Sequence, residues 1–116
     1  MKRDMETIRE MLLWMEEQDE RLFMLGELPI FDDNREKTIA HLTMLQSAGF
    51  IDKMPSGAFS ISWEGYEFLD KVRDPEIWRK TKDGAEKVGS WGIKLIGELA
   101  SGYIKLKASE LGLPTM

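Results

Sequence analysis

The sequence contains no cysteine and one histidine among its 116 residues. Disulfide scaffolds, thiolate zinc sites and cysteine nucleophiles are therefore excluded, and histidine-rich metal sites are excluded with them. No apolar run approaches the roughly 20 residues that are needed to span a bilayer. The N-terminal stretch is charged from its second residue, unlike the apolar core of a secretory signal. By elimination we expect a cytoplasmic protein with no membrane partner.

Positive charge is also scarce and unevenly distributed. The chain has 16 Lys and Arg against 21 Asp and Glu, for a net charge of −5. Residues 1–34 hold four cations and ten carboxylates and carry −6, whereas the remaining residues carry +1. DNA-binding domains usually have a basic footprint, because neutralising phosphates supplies most of their non-specific affinity. This sequence has no such footprint overall. A basic patch confined to its second half is the alternative that the charge count leaves.

What is present indicates one soluble domain. Hydrophobic residues make up 42% and charged residues 32%, a balance typical of soluble globular proteins. A chain of 116 residues can bury a sizeable core but is too short for two independent ones. We expect a single domain over 1–116, with a core over 1–73 and a C-terminal helical extension over 74–116 packed on it.

The stretch 34–63 organises the chain. A helix is predicted from a cap at Asp33 or Asn34 to a left-handed Gly49. Its apolar positions step by three and are expected to face the core: Ile39, Leu42, Leu45 and Ala48. A β-hairpin follows over 51–62, with Pro-Ser-Gly at the turn and alternating apolar residues in the return strand. This order predicts a mainly α (α+β), winged-helix-like fold in which the small hairpin is the wing.

Further helices are predicted on both sides of this stretch. An amphipathic helix begins at an Asp4 cap and ends near Glu17. Residues 18–33 show no clean helical period and contain Gly26 and Pro29, so the second helix of a standard winged helix is short, distorted or missing. Three more helices are expected: one capped by Ser62, one from Pro75 to about Val88, and one from Trp91 to Leu111.

Glycines inside these helices need a packing reason, because each weakens a helix by about 1 kcal/mol relative to alanine. Gly65 is a weak point unless something packs closely against it. Gly92, Gly97 and Gly102 recur in the last helix, where close packing against another helix is the simplest explanation. The partner is either the first helix of the same chain or the same helix of a second copy, which would form a homodimer.

A winged helix presents polar side chains of its helix and wing to a partner. The candidates here are Arg35, Lys37, Thr38, His41, Gln46, Lys53 and Ser56. Three cations are few, since typical DNA-binding proteins make about six to ten phosphate contacts. A solvated helix face explains the same residues, and we expect His41 to be a partly exposed residue with a local hydrogen bond. The partner, DNA or protein, is left undecided.

No catalytic group accompanies these residues, because His41 has neither a nucleophile nor an orienting acid at a helical spacing. We expect no enzyme and no cofactor. The basic run over 73–87 contains i,i+4 acid–base pairs typical of a helix surface. An acidic cluster comprises Glu16, Glu17, Asp19 and Glu20. Metal coordination and imitation of nucleic acid are the functional alternatives for it, and a solvated turn is the more common explanation at the end of a helix. Core positions are expected by default for Trp14, Trp63, Trp78 and Trp91, with Trp14 the candidate for an exposed anchor.

A family resemblance lies in the opening MKRDMETIREMLL and in SISWEGYEFLDKVRDPEIWRKTK at 60–82. Both are similar to short bacterial and phage proteins grouped as domain of unknown function 2513, which open with MKRDMD and carry a TWEGHEFLD-like segment. The chain departs from that pattern at Ser62 and Tyr66, where threonine and histidine are expected. A third segment, AHLTMLQSAGFID at 40–52, resembles the end of the recognition helix in bacterial winged-helix regulators. The resemblance implies a phage or prophage context and supplies no catalytic residues.

These observations favour a small phage or prophage regulatory module that acts by binding DNA or protein. Its expected contact surface is the helix over 34–49 together with the hairpin over 51–62. The alternative is an acidic phage accessory protein that inhibits a host or defence protein through direct binding by its acidic N-terminal third.

Overall fold

The computed structural model describes residues 1–18 and 22–114. In this part of the chain five α-helices accompany one two-stranded antiparallel sheet. The helices are α1 (Met5–Glu17), α2 (Arg35–Ser47), α3 (Trp63–Val72), α4 (Pro75–Val88) and α5 (Ile93–Glu110), and the strands are β1 (Ile51–Lys53) and β2 (Phe59–Ile61). The predicted class, mainly helical with a small hairpin, is confirmed, and the layout is consistent with a winged-helix-like arrangement.

The chain divides into two compact units, and the boundary between them lies within α3. The first unit comprises residues 1–69, and the second begins at Asp70. The division thus falls slightly before the boundary expected at residue 73. None of the described helices combines the length and the hydropathy that crossing a bilayer requires.

Helix α1 supplies much of the core of the first unit. The Asp4 carboxylate accepts the backbone N–H groups of Glu6 and Thr7 at 3.0 and 3.4 Å, and thereby caps the helix as predicted. One face is buried along the helix: Met5, Ile8, Met11, Leu12 and Met15. Each such side chain stabilises the fold by about 1.5–3 kcal/mol, so this face anchors the unit.

Helix α2 buries a face that differs from the predicted one. Leu42 and Leu45 lie in the core as expected, but Ile39 is 43% exposed, and Ala48 lies beyond the last turn and is exposed. Thr38 and His41 are buried instead. The prediction for Ile39 and Ala48 is wrong because three residues fall about 60° short of a full helical turn. Positions that step repeatedly by three therefore drift around the helix.

The hairpin pairs β1 with β2 in an antiparallel register that sets Ile51 opposite Ile61 and Lys53 opposite Phe59. Phe23 adds a single bridge on the other side of β2, because its N–H and C=O bond with Phe59 at 3.0 and 2.8 Å. The two rings also stack, with centroids 5.7 Å apart. The segment before α2 is therefore attached to the hairpin at Phe23.

Gly65 in α3 is required by a close approach of the backbone. A Cβ atom at this position would overlap the carbonyl oxygen of Phe50 and lie 2.7 Å from Cγ2 of Ile61. Ser62 accepts the N–H of Gly65 at 3.1 Å and caps the helix as predicted. Phe68, on the buried face of α3, stacks on Phe50 at 4.8 Å between centroids.

In the second unit α4 and α5 form a helical hairpin. Asp74 accepts the N–H of Ile77 at 2.9 Å, Pro75 opens α4, and a left-handed Gly89 ends it, so the predicted limits are confirmed. The helices approach closely at Gly84, where a Cβ atom would meet Oη of Tyr103 at 2.8 Å.

The three glycines predicted to lie in the last helix differ in their surroundings. Gly92 is the N-cap and lies outside the helix. Gly97 faces the flexible side chain of Lys71 at 3.7 Å, and Gly102 has no described atom within 4 Å of its added Cβ. Gly97 thus lies against a side chain of α3 in the same chain, whereas packing of these glycines against α1 or against a second copy stays a prediction.

Candidate functional site

The seven predicted contact residues do not form one exposed surface. Thr38 and His41 are buried in the first unit, so neither can touch a partner directly. Lys37 is half-buried. The other four are exposed: Arg35 and Gln46 on α2, Lys53 at the end of β1, and Ser56 in the turn.

His41 joins the beginning of α1 to α2 inside the protein, where its exposed fraction is 0%. Its Nε2 accepts the backbone N–H of Asp4 at 2.9 Å, and its Nδ1 lies 2.8 Å from the carbonyl oxygen of Lys37. Because a backbone N–H can only donate, Nε2 carries no hydrogen, and the ring is neutral with its hydrogen on Nδ1. The predicted local hydrogen bond is confirmed, whereas the predicted partial exposure is wrong.

Lys37 forms ion pairs with two carboxylates. Its Nζ lies 2.7 Å from Oδ2 of Asp32 and 2.7 Å from Oδ2 of Asp4. The hydrogen bonds to Asp32 and then Asp4 raise the pKa of Lys37 above its ordinary value. Partial burial opposes ionisation of Asp4, but hydrogen bonds from Lys37 and from the N–H of Thr7 leave its pKa lowered. The charge of Lys37 is thus neutralised by carboxylates of the same chain, which makes Lys37 a poor candidate for binding a phosphate.

Thr38 fastens the segment before α2 to the helix. Its hydroxyl accepts the backbone N–H of Phe31 at 2.8 Å and donates to the carbonyl oxygen of Asn34 at 2.9 Å. These bonds hold the second of two 3₁₀ turns, Leu25–Glu27 and Phe31–Asp33, against the start of α2. Among the described residues 22–33, these two 3₁₀ turns stand where the sequence leaves the second helix short, distorted or missing.

A groove of about 210 Å³ lies between these turns and the N-terminal half of α2. We call it the α2 groove; its lining comprises Leu25, Gly26, Leu28, Pro29, Ile30, Arg35, Thr38 and Ile39. Three of its apolar side chains are exposed to about half: Leu25 by 49%, Ile30 by 57% and Ile39 by 43%. Arg35 is the charged residue of this lining. The site therefore combines an apolar floor with one guanidinium.

The sequence pattern does not predict this apolar lining. The segment before α2 alternates apolar residues with Gly26 and Pro29, which prevent a regular helix. Without a periodic face, the pattern does not say which of its apolar side chains stay at the surface. Ile39 was assigned to the core, because it is one of the apolar residues of α2 that are spaced by three.

The charge around α2 and the hairpin is unfavourable for DNA. Residues 30–62 contain three cations and four carboxylates, for a net charge of −1 with neutral histidine. Lys37 is already paired, which leaves Arg35 and Lys53. Lys53 lies 5.9 Å from the ring centroid of Phe59, a weak cation–π contact. Two cations are a small set for holding a phosphate backbone.

The other predicted charge clusters have ordinary roles where the structure describes them. On α4, Lys80 pairs with Glu76 at 3.3 Å and Lys87 pairs with Asp83 at 3.0 Å, as predicted for a helix surface. Of the predicted acidic cluster, Asp19 and Glu20 lie outside the described residues. Within residues 1–18 and 22–114 no group of three or more His, Asp or Glu side chains is arranged to hold a metal ion.

Comparison with known proteins places this chain in a family. The chain is similar to an uncharacterized protein of Haemophilus influenzae, with 31% identity over 90 residues that cover 71% of this chain and 76% of the relative. No solved structure is significantly similar to the chain. The family described as Hypothetical protein (DUF2513) matches residues 2–91, a range that includes the α2 groove. The chain therefore belongs to this family, as the resemblance of its opening and of residues 60–82 implies.

Proposed function

We propose that this protein is a small regulatory module that binds a partner protein, and that the α2 groove receives an apolar segment of that partner. The observation that carries the proposal is the groove itself, whose lining combines half-exposed apolar side chains with one cation. Exposed apolar patches with a polar rim are typical of protein-interaction sites. Both a regulator and an inhibitor act through such a contact.

The size of the groove favours a peptide segment over a small-molecule cofactor. Ligand pockets usually enclose roughly 300–1,000 Å³ and bury most of the ligand. The α2 groove measures about 210 Å³ and is open at the surface. It suits one or two side chains that project from a longer segment held along α2.

Arg35 adds a charge preference to this apolar site. A guanidinium binds a carboxylate through two parallel hydrogen bonds, and it keeps its charge at any physiological pH. Neither partner of the nearby ion pairs competes for it, because Asp4 and Asp32 are bound by Lys37. We therefore expect the partner segment to carry a carboxylate close to its apolar anchor.

DNA is the weaker candidate on the same geometry. Thr38 and His41 are buried, Lys37 is paired, and the surrounding residues carry a small negative charge. A contact through Arg35 and Lys53 alone would neutralise two phosphates. The logarithm of the binding constant would fall with the logarithm of the salt concentration, with a slope of about −0.9 for each neutralised phosphate. Protein is therefore the partner class that the exposed chemistry supports.

The test is selection of a randomised 12-residue peptide library against the full chain. We expect enriched peptides that place Asp or Glu near Leu, Ile, Phe or Met. A synthetic copy of such a peptide should bind Ile39→Asp at least about tenfold more weakly than wild type, because the substitution sets a charge in the apolar floor. Gln46→Asp, on the exposed face of the same helix, is the matched control and should retain binding.

Two results would overturn the proposal. One is enrichment of peptides without acidic residues. The other is equal binding by wild type and Ile39→Asp, which would place the contact outside the groove.

A further inference from the structure

A second surface lies on α3 and shares no residue with the α2 groove. Trp63 is 76% exposed, although it was expected in the core, and Tyr66 is 40% exposed. Glu64 and Glu67 are exposed beside them. Spacings of three and four place these side chains on neighbouring parts of one helix surface. We call the surface formed by Trp63, Glu64, Tyr66 and Glu67 the α3 face.

The exposure of Trp63 is not explained by the packing of the first unit. The opposite side of α3 supplies Phe68 and Leu69 to the core, and Phe68 stacks on Phe50. Ser62, rather than Trp63, caps the helix. By contrast Trp78 is buried, and Trp14 is half-buried with its ring edge-on to Phe23. An exposed tryptophan is the side chain most often found as an anchor at protein interfaces.

The charge of the α3 face indicates what kind of partner fits it. It carries two carboxylates and no cation, and neither carboxylate has an ion pair within the described residues. Nucleic acids and anionic lipid surfaces would be repelled by these groups. A wholly apolar partner would bury them without compensation. A cationic side chain suits both the aromatic ring and the carboxylates of the α3 face, because it is attracted to the face of an indole ring and to carboxylates.

We propose that the α3 face is a docking site for a basic segment of a partner protein. An Arg or Lys side chain lies on the ring of Trp63, and a neighbouring cation pairs with Glu64 or Glu67. Tyr66 extends the aromatic surface along the helix. The proposal goes beyond the α2 groove, since it uses other residues and a partner segment of opposite charge.

The experiment titrates the isotope-labelled full chain with a 12-residue peptide that carries arginine at every third position among alanines. Two matched peptides replace arginine by glutamine or by glutamate. The indole N–H signal of Trp63 is assigned by its absence from the spectrum of Trp63→Phe. We expect the arginine peptide to move this signal, and the other two peptides to leave it in place.

Affinity is measured in parallel with the same arginine peptide carrying a fluorescent label. Trp63→Ala should weaken binding about three- to tenfold, within the range of cation–π contacts at accessible sites. Glu64→Gln combined with Glu67→Gln should weaken it similarly and reduce its salt dependence. The charge-matched control is Glu36→Gln with Asp52→Asn, which removes two exposed carboxylates elsewhere in the first unit. Arg35→Glu should leave this affinity unreduced, which separates the α3 face from the α2 groove.

Several outcomes would overturn the inference. Equal affinity of wild type and Trp63→Ala would remove the aromatic anchor. An equal loss in the control double variant would show attraction to net negative charge only. A response of Trp63 to the glutamine peptide would indicate apolar docking, and a response to duplex DNA would indicate nucleic-acid binding. Circular dichroism of each variant shows whether it is folded, and the glutamine double variant tests the site even where Trp63→Ala is unfolded.

Discussion

At the scale of single residues, His41 shows how a side chain that resembles a contact residue can be a structural one. His41→Ala should lower the free energy of unfolding by about 2–4 kcal/mol, because it leaves a cavity and removes the acceptor for the N–H of Asp4. Urea denaturation measures the change. Gln46→Ala, at an exposed position of the same helix, should stay within about 0.5 kcal/mol of wild type. Similar losses in both variants would contradict the structural role of His41.

Lys37 and Asp4 make stability depend on pH in a predictable direction. The lowered pKa of Asp4 adds stability above its ordinary value of 3.8, and this stability is lost as pH falls through the lowered value. The raised pKa of Lys37 adds stability below its ordinary value of 10.5, which is lost only as pH rises through the raised value. The pair is therefore intact between these limits.

Lys37→Met tests this dependence. Urea midpoints of wild type and variant should differ most near neutral pH. The difference should shrink below pH 3.8 and be lost as pH falls through the lowered pKa of Asp4, because protonated Asp4 no longer pairs with Lys37. Lys53→Met is the control, since Lys53 is exposed, and its difference from wild type should change little over the same acidic range. A Lys37→Met difference that is constant with pH would exclude the ion pair as a source of stability.

At the scale of elements, two helical glycines should respond in opposite ways to the same substitution. Gly65→Ala should destabilise the protein by about 1–3 kcal/mol or more, because the added methyl group would overlap the backbone of Phe50. Gly102→Ala should stabilise α5 by about 1 kcal/mol, since the position is open and alanine favours a helix. Thermal unfolding followed by circular dichroism measures both. Destabilisation by Gly102→Ala would instead support close packing there in a second copy.

The elements that could be predicted from the sequence are those with local signals. Helix α4 is one, because Asp74, Pro75 and Gly89 determine its ends through hydrogen bonds and backbone angles within a few residues. The buried face of α2 could not be predicted fully. Thr38 and His41 are polar, and they are buried because tertiary partners satisfy their hydrogen bonds.

The candidate surfaces were less predictable than the elements. Arg35 was found from its position on the predicted helix, whereas Ile30 and Ile39 become part of the α2 groove only through the arrangement of the 3₁₀ turns. Trp63 was expected in the core because tryptophan is mostly buried, and its exposure depends on the orientation of α3. Periodicity identifies an apolar face of one helix, but it does not show which apolar side chains lack a partner.

At the scale of the whole molecule, charge predicts weak or absent binding to DNA. The chain carries −5 overall, and the stretch around α2 and the hairpin is not basic. A mobility-shift assay with random duplex DNA should show no shift at micromolar protein and physiological salt. A shift that persists at this salt and is lost in Arg35→Ala with Lys53→Ala would contradict protein as the partner of this surface.

A charge-swap measurement tests the α2 groove most directly. The ligand is an acidic peptide selected on wild-type protein, compared with a copy whose carboxylate residue is replaced by lysine, and each is titrated into wild type and Arg35→Glu. We predict that Arg35→Glu binds the acidic peptide at least about tenfold more weakly, as expected for loss of a charge-assisted contact, and that the lysine peptide restores part of the affinity. Equal binding of the acidic peptide by both proteins, or no recovery with the lysine peptide, would contradict the account.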